Sequence, residues 1–464
     1  MDTASNNPQQ AAGASKRVAE FASALTYERL PANAVHAFKR ALLDYLTCAI
    51  AGSRMAPTKI VFDYVSSWDQ AKEAAVMGTQ ARLSCPNAAF VNGTSTHGLD
   101  FDDGFTRGSV HPAGAVFPAL LAIAEKHGSS AKDVIAAGVA AYDVTARIAA
   151  TVHPSSAKRG FHNTPTAGVL GAAAGVSRLL HLDAKTTLDA MGIAGSFASG
   201  LREYLFGGAE VKRIHPGKAA RDGITCAELA KRGLTGPEQV LEGKHGLFNV
   251  MAGEDAAWGR MCDALGERFD ITNIYFKPYP ACRHFHAALD AVRDLRHRHA
   301  IKPANVARID VGLYEVGARG HDHRHAHSLL DAQMSAPVSA ALAMMYGEVT
   351  VGTYDEANIQ SAEVQRLINV TTAGVDAECE RIYPGCRSGV AKVTLMNGQS
   401  FEQRVLNPKG EVENPMTDED LAHKFRSNCE PMVGRAKCDR VLELVWSIEK
   451  ATTLDELYQW ECHK

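Results

Sequence analysis

The sequence has 464 residues, of which 46% are hydrophobic and 22% are charged. This is the composition of an ordinary globular protein, and the length predicts about two to three domains of roughly 150 residues each. The 49 basic and 52 acidic residues give a formal net charge of −3, so the composition favours neither a nucleic-acid-binding protein nor one that binds an anionic membrane.

The cysteines and the first residues give no sign of export. The ten cysteines form no CxxC pair, which argues against a zinc ribbon and favours reduced thiols in a cytoplasmic protein. Residues 1–15 are small and polar, and we expect a disordered tail there rather than a signal peptide. No membrane span is expected, because the most apolar stretch, 134–150, is interrupted by Asp143 and Arg147.

Residues 16–270 have the periodicity of helices and are predicted to form the first part of a helical domain. Val35, Phe38 and Leu42 recur at three- and four-residue steps, which places them on one helix face. A further helix is expected over 113–126. Later stretches rich in alanine and glycine predict helices whose axes approach closely, because small side chains keep the backbones near each other.

The spacing of apolar residues changes after about residue 270. Residues 307–317 alternate between apolar and polar side chains, which is typical of a strand. Within 389–406, two alternating runs flank Asn397 and Gly398, the favoured pair for a two-residue turn. This pattern predicts a β-hairpin.

The same region also predicts an amphipathic helix over 336–345. Together with the strands, it indicates a smaller α+β domain over 271–408. Residues 409–464 return to helical spacing and are expected to pack back on the first helical domain.

Titratable residues concentrate in four clusters, and the first covers 97–114. Three aspartates and two histidines lie close together there, including Asp100 and His111. Asp102 and Asp103 predict either a metal or acid/base pair or, more simply, a helix cap with a surface loop. A histidine just before a helix is disfavoured as a cation, so His111 is a candidate base.

The second and third clusters indicate an anion site. His162 precedes a helix of small residues, whose first N–H groups suit a carboxylate, although a core histidine is an equal alternative. Over 207–223, Lys212 and His215 accompany further basic residues beside glycines. That pattern favours a carboxylate site over a solvated basic helix start.

The fourth cluster, 276–291, is a turn braced by prolines before a helix. It contains Lys277, Tyr279, Cys282, Arg283, His284 and His286. Cys282 with a nearby histidine suggests a nucleophile pair, a hypothesis we rank below proton chemistry. The alternating histidines of 320–328 are interpreted as a mobile loop, and less readily as a metal site.

Together these clusters resemble the MmgE/PrpD family over 18–445. The motifs that carry the resemblance are HGLDFDD, HPAGAVFPALLAIAE, GFH, VKRIHPGKAARDG, KPYPACRHFHAALDA and DAQMSAPVSAALAM. The resemblance implies a mainly α fold, with a large all-helical domain and an inserted smaller α+β lid domain. It further implies an active site between the domains, a homodimer, and no metal or other cofactor.

By motif, the resemblance carries the family's catalytic roles to Asp100, His111, His162 and Lys212. Lys277 is expected to bind a substrate carboxylate, and the other candidates for substrate binding are Asp103, His215, Tyr279, Cys282 and Arg283. Some family decarboxylases have threonine where this chain has Gly104 and histidine where it has Cys282. These departures leave more than one reaction open.

The expected chemistry is proton transfer next to a carboxylate of a small di- or tricarboxylic acid. Lysines would stabilise the enediolate-like anion, while His111 and His162 act as base and acid. The family includes 2-methylcitrate dehydratase, cis-aconitate decarboxylase and iminodisuccinate epimerase, so a lyase is the first hypothesis and an epimerase the alternative. A binding protein without catalysis is a third, weaker one.

Overall fold

The computed structural model describes residues 8–206, 209–383 and 385–460. Up to residue 270, its helices and strands are α1 (Ala14–Ala24), α2 (Ala32–Gly52), α3 (Ala56–Ser66), β1 (Ala74–Ala75), β2 (Arg82–Leu83), α4 (Cys85–His97), α5 (Ala113–His127), α6 (Ala131–Val152), α7 (Ser155–Lys158), α8 (Asn163–Leu179), α9 (Ala184–Phe197), α10 (His215–Lys231) and α11 (Leu247–Met251).

The rest of the chain contains the larger sheet and the C-terminal helices. Its elements are α12 (His286–Arg298), β3 (Val306–Leu313), α13 (Glu315–Ala318), α14 (Leu329–Gln333), α15 (Ala336–Tyr346), α16 (Glu356–Ile359), α17 (Ala362–Asn369), β4 (Thr371–Val375), α18 (Ala377–Ile382), β5 (Gly389–Leu395), β6 (Ser400–Val405), α19 (Asp418–Val433) and α20 (Arg435–Trp446). The prediction of a mainly α protein is confirmed.

Two separate hydrophobic cores hold these elements together. The larger one draws its buried side chains from residues 11–276 and again from 416–460, so α19 and α20 pack with the N-terminal helices. The second core lies within residues 279–393. The domain limits at 270 and 408 stay a prediction, although the cores change over near these positions.

Helix α6 is the central helix of the larger core. It is long and apolar enough to cross a membrane by length and composition alone, but its most apolar stretch is wholly buried in the fold. Core helices of globular proteins have the same character. Ser130 caps its start by accepting a hydrogen bond from the N–H of Asp133, which satisfies an otherwise unpaired helix N–H.

The second core is built on a four-stranded sheet with the order β4-β3-β5-β6. β3 pairs parallel with β4 and antiparallel with β5, and β5 and β6 form the predicted hairpin. The turn is one residue longer than the predicted pair, because Leu395 bonds to Gln399 across Met396, Asn397 and Gly398. Gly398 has φ of 86°, a conformation that glycine adopts without strain. Helices α12 and α15 cover the sheet.

Three local predictions need correction. The tail extends to Ser15 in the prediction, but Ala11 and Ala14 are fully buried and the Ser15 hydroxyl donates to Glu242; residues 1–7 lie outside the described part. The strand over 307–317 ends at Leu313. The helix over 336–345 exists but is not amphipathic, because α15 is buried among α12, α17 and the sheet.

Three glycines allow helices α4, α5 and α10 to touch. A Cβ on Gly93 would lie 2.4 Å from the carbonyl oxygen of Gly114 and 2.5 Å from the Cα of Gly217. A Cβ on Gly217 would lie 2.2 Å from the carbonyl oxygen of Phe90. These neighbours are backbone atoms and cannot turn aside, so the contact requires glycine.

We predict that Gly217→Ala destabilises the protein by about 1–3 kcal/mol, because the added methyl group must push two helices apart. The midpoint of thermal unfolding should fall by several degrees. Gly374→Ala is the matched control, since a Cβ there meets no atom within 4 Å. Equal midpoints for the two variants would contradict the prediction.

Candidate active site

Four histidines from four helix ends lie side by side. His97 is the last residue of α4, His111 lies two residues before α5, His162 precedes α8 and His215 begins α10. The ring centroid of His97 lies 5.1 Å from that of His111 and 6.3 Å from that of His162, which in turn lies 5.1 Å from that of His215. Three of the rings are therefore at helix N-termini, where the helix dipole disfavours a cation.

His111 is held as a neutral base. Its Nδ1 lies 2.6 Å from the carbonyl oxygen of Asp103, and a carbonyl only accepts, so Nδ1 carries the proton. Burial lowers the pKa of His111 to about 3, although Asp102 opposes the shift. Nε2 therefore has a lone pair that can take a proton at ordinary pH.

His97 and Asp102 form a fully buried pair. Nδ1 of His97 lies 2.8 Å from Oδ2 of Asp102. Burial lowers the pKa of His97, although the Asp102 carboxylate opposes this shift. For Asp102, burial alone would raise the pKa, but His97 and His111 have the larger combined effect and lower it. Within the described residues, Nε2 of His97 and Oδ1 of Asp102 have no hydrogen-bond partner. Such buried atoms are rare in folded proteins and call for a functional explanation.

His162 and His215 share one proton. Their Nδ1 atoms are 2.9 Å apart, and two nitrogens hydrogen bond only when one of them is protonated. Burial lowers both pKa values, that of His215 to about 4. The two neutral rings must therefore be opposite tautomers, so one presents an Nε2 lone pair and the other an Nε2–H. The pair supplies both a proton acceptor and a proton donor.

Asp100 is the common partner of two lysines. Nζ of Lys212 lies 2.5 Å from Oδ1 of Asp100, and Nζ of Lys277 lies 3.3 Å from the same oxygen and 2.8 Å from the Asp100 carbonyl. Burial alone would raise the pKa of Asp100, but the lysines hold it well below its usual range. Burial would lower the pKa of Lys277, but Asp100 outweighs burial and raises it. Two cations against one carboxylate leave a buried positive charge that attracts an anion.

The loop over 98–112 is held by Lys424 of α19. Its Nζ donates to the carbonyl oxygen of Phe101 at 2.8 Å and to Asp44 of α2 at 2.7 Å. The same ammonium lies 3.6 Å from the centroid of the Phe101 ring. The C-terminal helices thus fix the segment that carries Asp100 and Asp102.

Asp103 supports the loop instead of facing the site. Its carboxylate accepts from the Tyr142 hydroxyl at 2.8 Å and from the N–H of Ala113, the first residue of α5, at 3.2 Å. Burial raises its pKa well above the usual range. Substrate binding by Asp103 stays a prediction, and its backbone carbonyl orients His111.

Tyr279 and Arg283 are also engaged outside the lysine pair. The Tyr279 hydroxyl contacts Asp290 and Arg293. Arg283 donates to Glu411 at 2.8 Å, which joins the start of α12 to the chain after the sheet. Substrate binding by Tyr279 and Arg283 stays a prediction.

Cys282 is paired with His321, not with His284 or His286. Its Sγ lies 3.7 Å from Nε2 of His321, whose Nδ1 lies 2.7 Å from the Met334 carbonyl oxygen. Burial raises the pKa of the Cys282 thiol, but His321 outweighs it and lowers the pKa overall. Burial lowers the pKa of His321, yet Cys282 raises it to about 9. The predicted nucleophile pair therefore has a different partner.

The alternating histidines do not gather around one point. His321 faces Cys282, and the rings of His325 and His327 stack with centroids 5.6 Å apart. Among the residues that the structure describes, the group suited to a metal ion is His97, Asp102 and His111, whose candidate ligand atoms lie within 4.8 Å of one another. There the Nδ1 atoms of both histidines are engaged in hydrogen bonds.

There is a steric reason for glycine, and not threonine, at position 104. Its N–H and carbonyl pair with the backbone of Tyr275, and a Cβ at this position would lie 2.3 Å from the Tyr275 ring. Tyr275 therefore fills the space that a threonine side chain would need. The departure at Gly104 is coupled to Tyr275, two residues before Lys277.

Two features of the site had no assigned role in the sequence analysis. His97 opens the motif HGLDFDD, but its contact with Asp102 depends on the turn after α4, which spacing does not reveal. Arg213 is only 1% exposed, whereas a basic run gives no sign of which member turns inward. Its neighbour Lys212 was found because of the motif around it.

Comparison with known proteins identifies the family of the chain. The model of the MmgE/PrpD N-terminal domain matches residues 16–258, and that of the MmgE/PrpD C-terminal domain matches 279–449. A cis-aconitate decarboxylase-like protein of Aspergillus oryzae is 28% identical over 454 residues, 92% of this chain and 93% of its own. Human cis-aconitate decarboxylase is 27% identical, with 89% and 86% covered, and 2-methylcitrate dehydratase of Cupriavidus necator is 25% identical, with 84% of each chain covered.

We predict that acidification destabilises the protein through its buried neutral histidines. The pKa values of His111 and His215, about 3 and about 4, lie below their ordinary value of 6.5, so the unfolded chain binds more protons below that pH. Their contribution to stability is present above pH 6.5 and is lost as the pH falls toward 4. The midpoint of thermal unfolding should drop between about pH 7.5 and 5, and less steeply in His215→Asn.

The control for this titration is His423→Asn, because the His423 side chain is 72% exposed. This variant should keep the pH dependence of the unmodified protein. An unchanged slope in His215→Asn would show that the buried histidines do not govern acid stability.

Proposed function

The chain belongs to the MmgE/PrpD family, and from this premise we propose that it is a lyase that removes water or CO₂ from a small tricarboxylic acid. Relatives named cis-aconitate decarboxylase and 2-methylcitrate dehydratase support this reaction class. The observation that carries the proposal is the meeting of Lys212 and Lys277 at Asp100, close to buried neutral histidines. Carboxylate-binding cations and bases are what proton transfer next to a carboxylate requires.

The lysines are the groups that stabilise negative charge. A substrate carboxylate beside Lys212 and Lys277 gains the positive charge that Asp100 leaves uncompensated. When the adjacent carbon loses a proton or CO₂, the electron pair spreads onto that carboxylate as an enediolate-like anion. Buried ammonium groups stabilise it strongly, because the site excludes most water.

Dehydration would use one histidine to accept a proton and another to donate one. Nε2 of His111 takes the proton from the carbon next to the carboxylate, and the electron pair of that C–H bond becomes the new double bond. The C–O bond to the neighbouring hydroxyl then breaks. The member of the His162–His215 pair with Nε2–H gives its proton to the departing oxygen, which leaves as water.

Decarboxylation would need only the donor. The bond between the carboxyl carbon and its neighbour breaks, CO₂ leaves, and the electron pair remains on the substrate as an anion held by the lysines. A proton from the His162–His215 pair then forms the new C–H bond. The buried carboxylate of Asp102 favours a proton on the neighbouring His111, against the larger effect of burial.

We predict that the EDTA-treated protein turns over one member of a panel in D₂O: 2-methylcitrate, citrate, cis-aconitate, itaconate, citraconate and iminodisuccinate. Catalysis without a metal is expected because the resemblance to the MmgE/PrpD family implies a reaction that needs no cofactor. NMR distinguishes the outcomes. Loss of water or CO₂ supports the lyase, deuterium at an α-carbon without other change identifies an epimerase, and activity restored only by a divalent ion contradicts metal independence.

We predict that His111→Asn lowers kcat about 10²- to 10⁴-fold, because the base is removed. Lys212→Met should lower kcat/KM by a similar factor, since it removes charge in the ground state and the transition state alike. The matched controls are His423→Asn and Lys231→Met, at exposed positions, which should retain turnover. Full activity in either site variant would remove that residue from the proposed mechanism.

Two further expectations rest on the family resemblance or on the sequence, and not on the geometry. We propose a homodimer, which light scattering on the purified protein tests directly. We also propose a cytoplasmic location, in keeping with ten cysteines in the sequence. No nucleic-acid or membrane partner is part of the proposal.

A further inference from the structure

Arg213 is a buried cation with unused hydrogen-bond donors. Its side chain is 1% exposed, and neither Nε nor Nη1 has a hydrogen-bond partner in the part of the chain described. Nη2 lies 3.3 Å from Oε1 of Gln333. The nearest carboxylate is that of Glu210, 4.0 Å from Nε and 51% exposed, too far for a hydrogen bond.

Gln333 places this guanidinium beside the lysine pair. Its Nε2 donates to the carbonyl oxygen of Leu99, the residue before Asp100, at 2.7 Å. Its own backbone carbonyl accepts from the N–H of Cys282 at 2.9 Å. Arg213 also follows Lys212 in sequence. Gln333 thus links Arg213 to the loop that carries Asp100 and to the turn that carries Lys277.

We propose that Arg213, oriented by Gln333, binds a second carboxylate of the substrate. This inference rests on the proposed function and names a group that distinguishes polycarboxylic from monocarboxylic acids. A guanidinium offers several N–H groups in one plane and suits a carboxylate better than an ammonium does. Because the guanidinium is buried and has donors without a partner, it can donate to a bound carboxylate without breaking an existing hydrogen bond.

The charges of the site fit such a substrate. Lys212 and Lys277 share Asp100 and together contribute one net positive charge, and Arg213 adds another. The two positive centres have different neighbours, one at Asp100 and one at Gln333. Carboxylates at two positions on a carbon chain would each meet a cation, which fixes the orientation of the carbon that reacts.

The test is a double-mutant cycle in which one change is made in the protein, at Arg213, and the other in the ligand, at one carboxylate. Calorimetry measures the Kd of tricarballylate and of its two monoamides, central and terminal, for the unmodified protein and for Arg213→Gln. For the amide that replaces the carboxylate at Arg213, the substitution should change Kd by less than about threefold. For tricarballylate and the other amide, the same substitution should weaken binding about 10- to 100-fold, the usual effect of losing a hydrogen bond to a charged group.

Glu210→Gln is the matched control and should alter each Kd by less than about threefold, because Glu210 is half exposed and forms no hydrogen bond with Arg213. Equal losses for all three ligands in Arg213→Gln would mean a structural role, and no loss would mean no contact; either overturns the proposal. If that variant fails to fold, Arg213→Lys is measured in the same cycle, with a smaller ligand-specific loss expected.

The outcome also separates this inference from the proposed function. A panel without turnover, together with a ligand-specific effect of Arg213→Gln, would reject the lyase and keep the carboxylate site. Turnover by the unmodified protein without a ligand-specific effect would keep the lyase and reject the role of Arg213.

Discussion

The backbone contact among α4, α5 and α10 sets the distances on which the site depends. Gly93, Gly114 and Gly217 bring the start of α5 and the start of α10 against the middle of α4. His97 at the end of α4, His111 before α5 and His215 at the start of α10 are thereby drawn together. Side chains at the glycine positions would separate the helix ends and with them the rings. The small residues are thus as much a part of the site as the charged ones.

Bringing helix N-termini together has an electrostatic consequence. Each N-terminus presents unpaired N–H groups and the positive end of the helix dipole. Burial lowers the pKa values of His111, His162 and His215, and the helix dipole acts in the same direction. The same field favours anions. One geometric device therefore keeps the bases unprotonated and attracts the carboxylates on which they act.

The sequence predicted the parts of the protein that follow from local pattern. The mainly α character and the β5–β6 hairpin depend on residues close together in the chain, so periodicity and turn chemistry revealed them. Motifs also identified Asp100, Lys212 and Lys277, which the fold brings into contact. Their spacing alone, more than 100 residues between Asp100 and Lys212, carries no such information.

The features that the sequence did not predict depend on where a side chain points, not on where its residue lies in the chain. A motif shows that Asp102 and Asp103 are adjacent, but not that one carboxylate meets His97 while the other meets Tyr142. Likewise Tyr279 and Arg283 lie beside Lys277 in sequence, yet their side chains turn toward Asp290 and Glu411. Neighbouring side chains diverge when a turn separates them, and the packing of α12 decides where each one points.

The contact of Lys424 with Phe101 and Asp44 has a consequence for how the protein folds during its synthesis. A ribosome adds residues at roughly 5–20 per second and releases the N-terminal helices first. The loop over 98–112 then waits for α19, which is more than 300 residues later in the chain, before its carbonyl and the Asp44 carboxylate receive their ammonium. A nascent chain that lacks α19 has no Lys424 to pair with Asp44 or to donate to the Phe101 carbonyl. The segment that carries Asp100 therefore gains this support only after α19 has been synthesised.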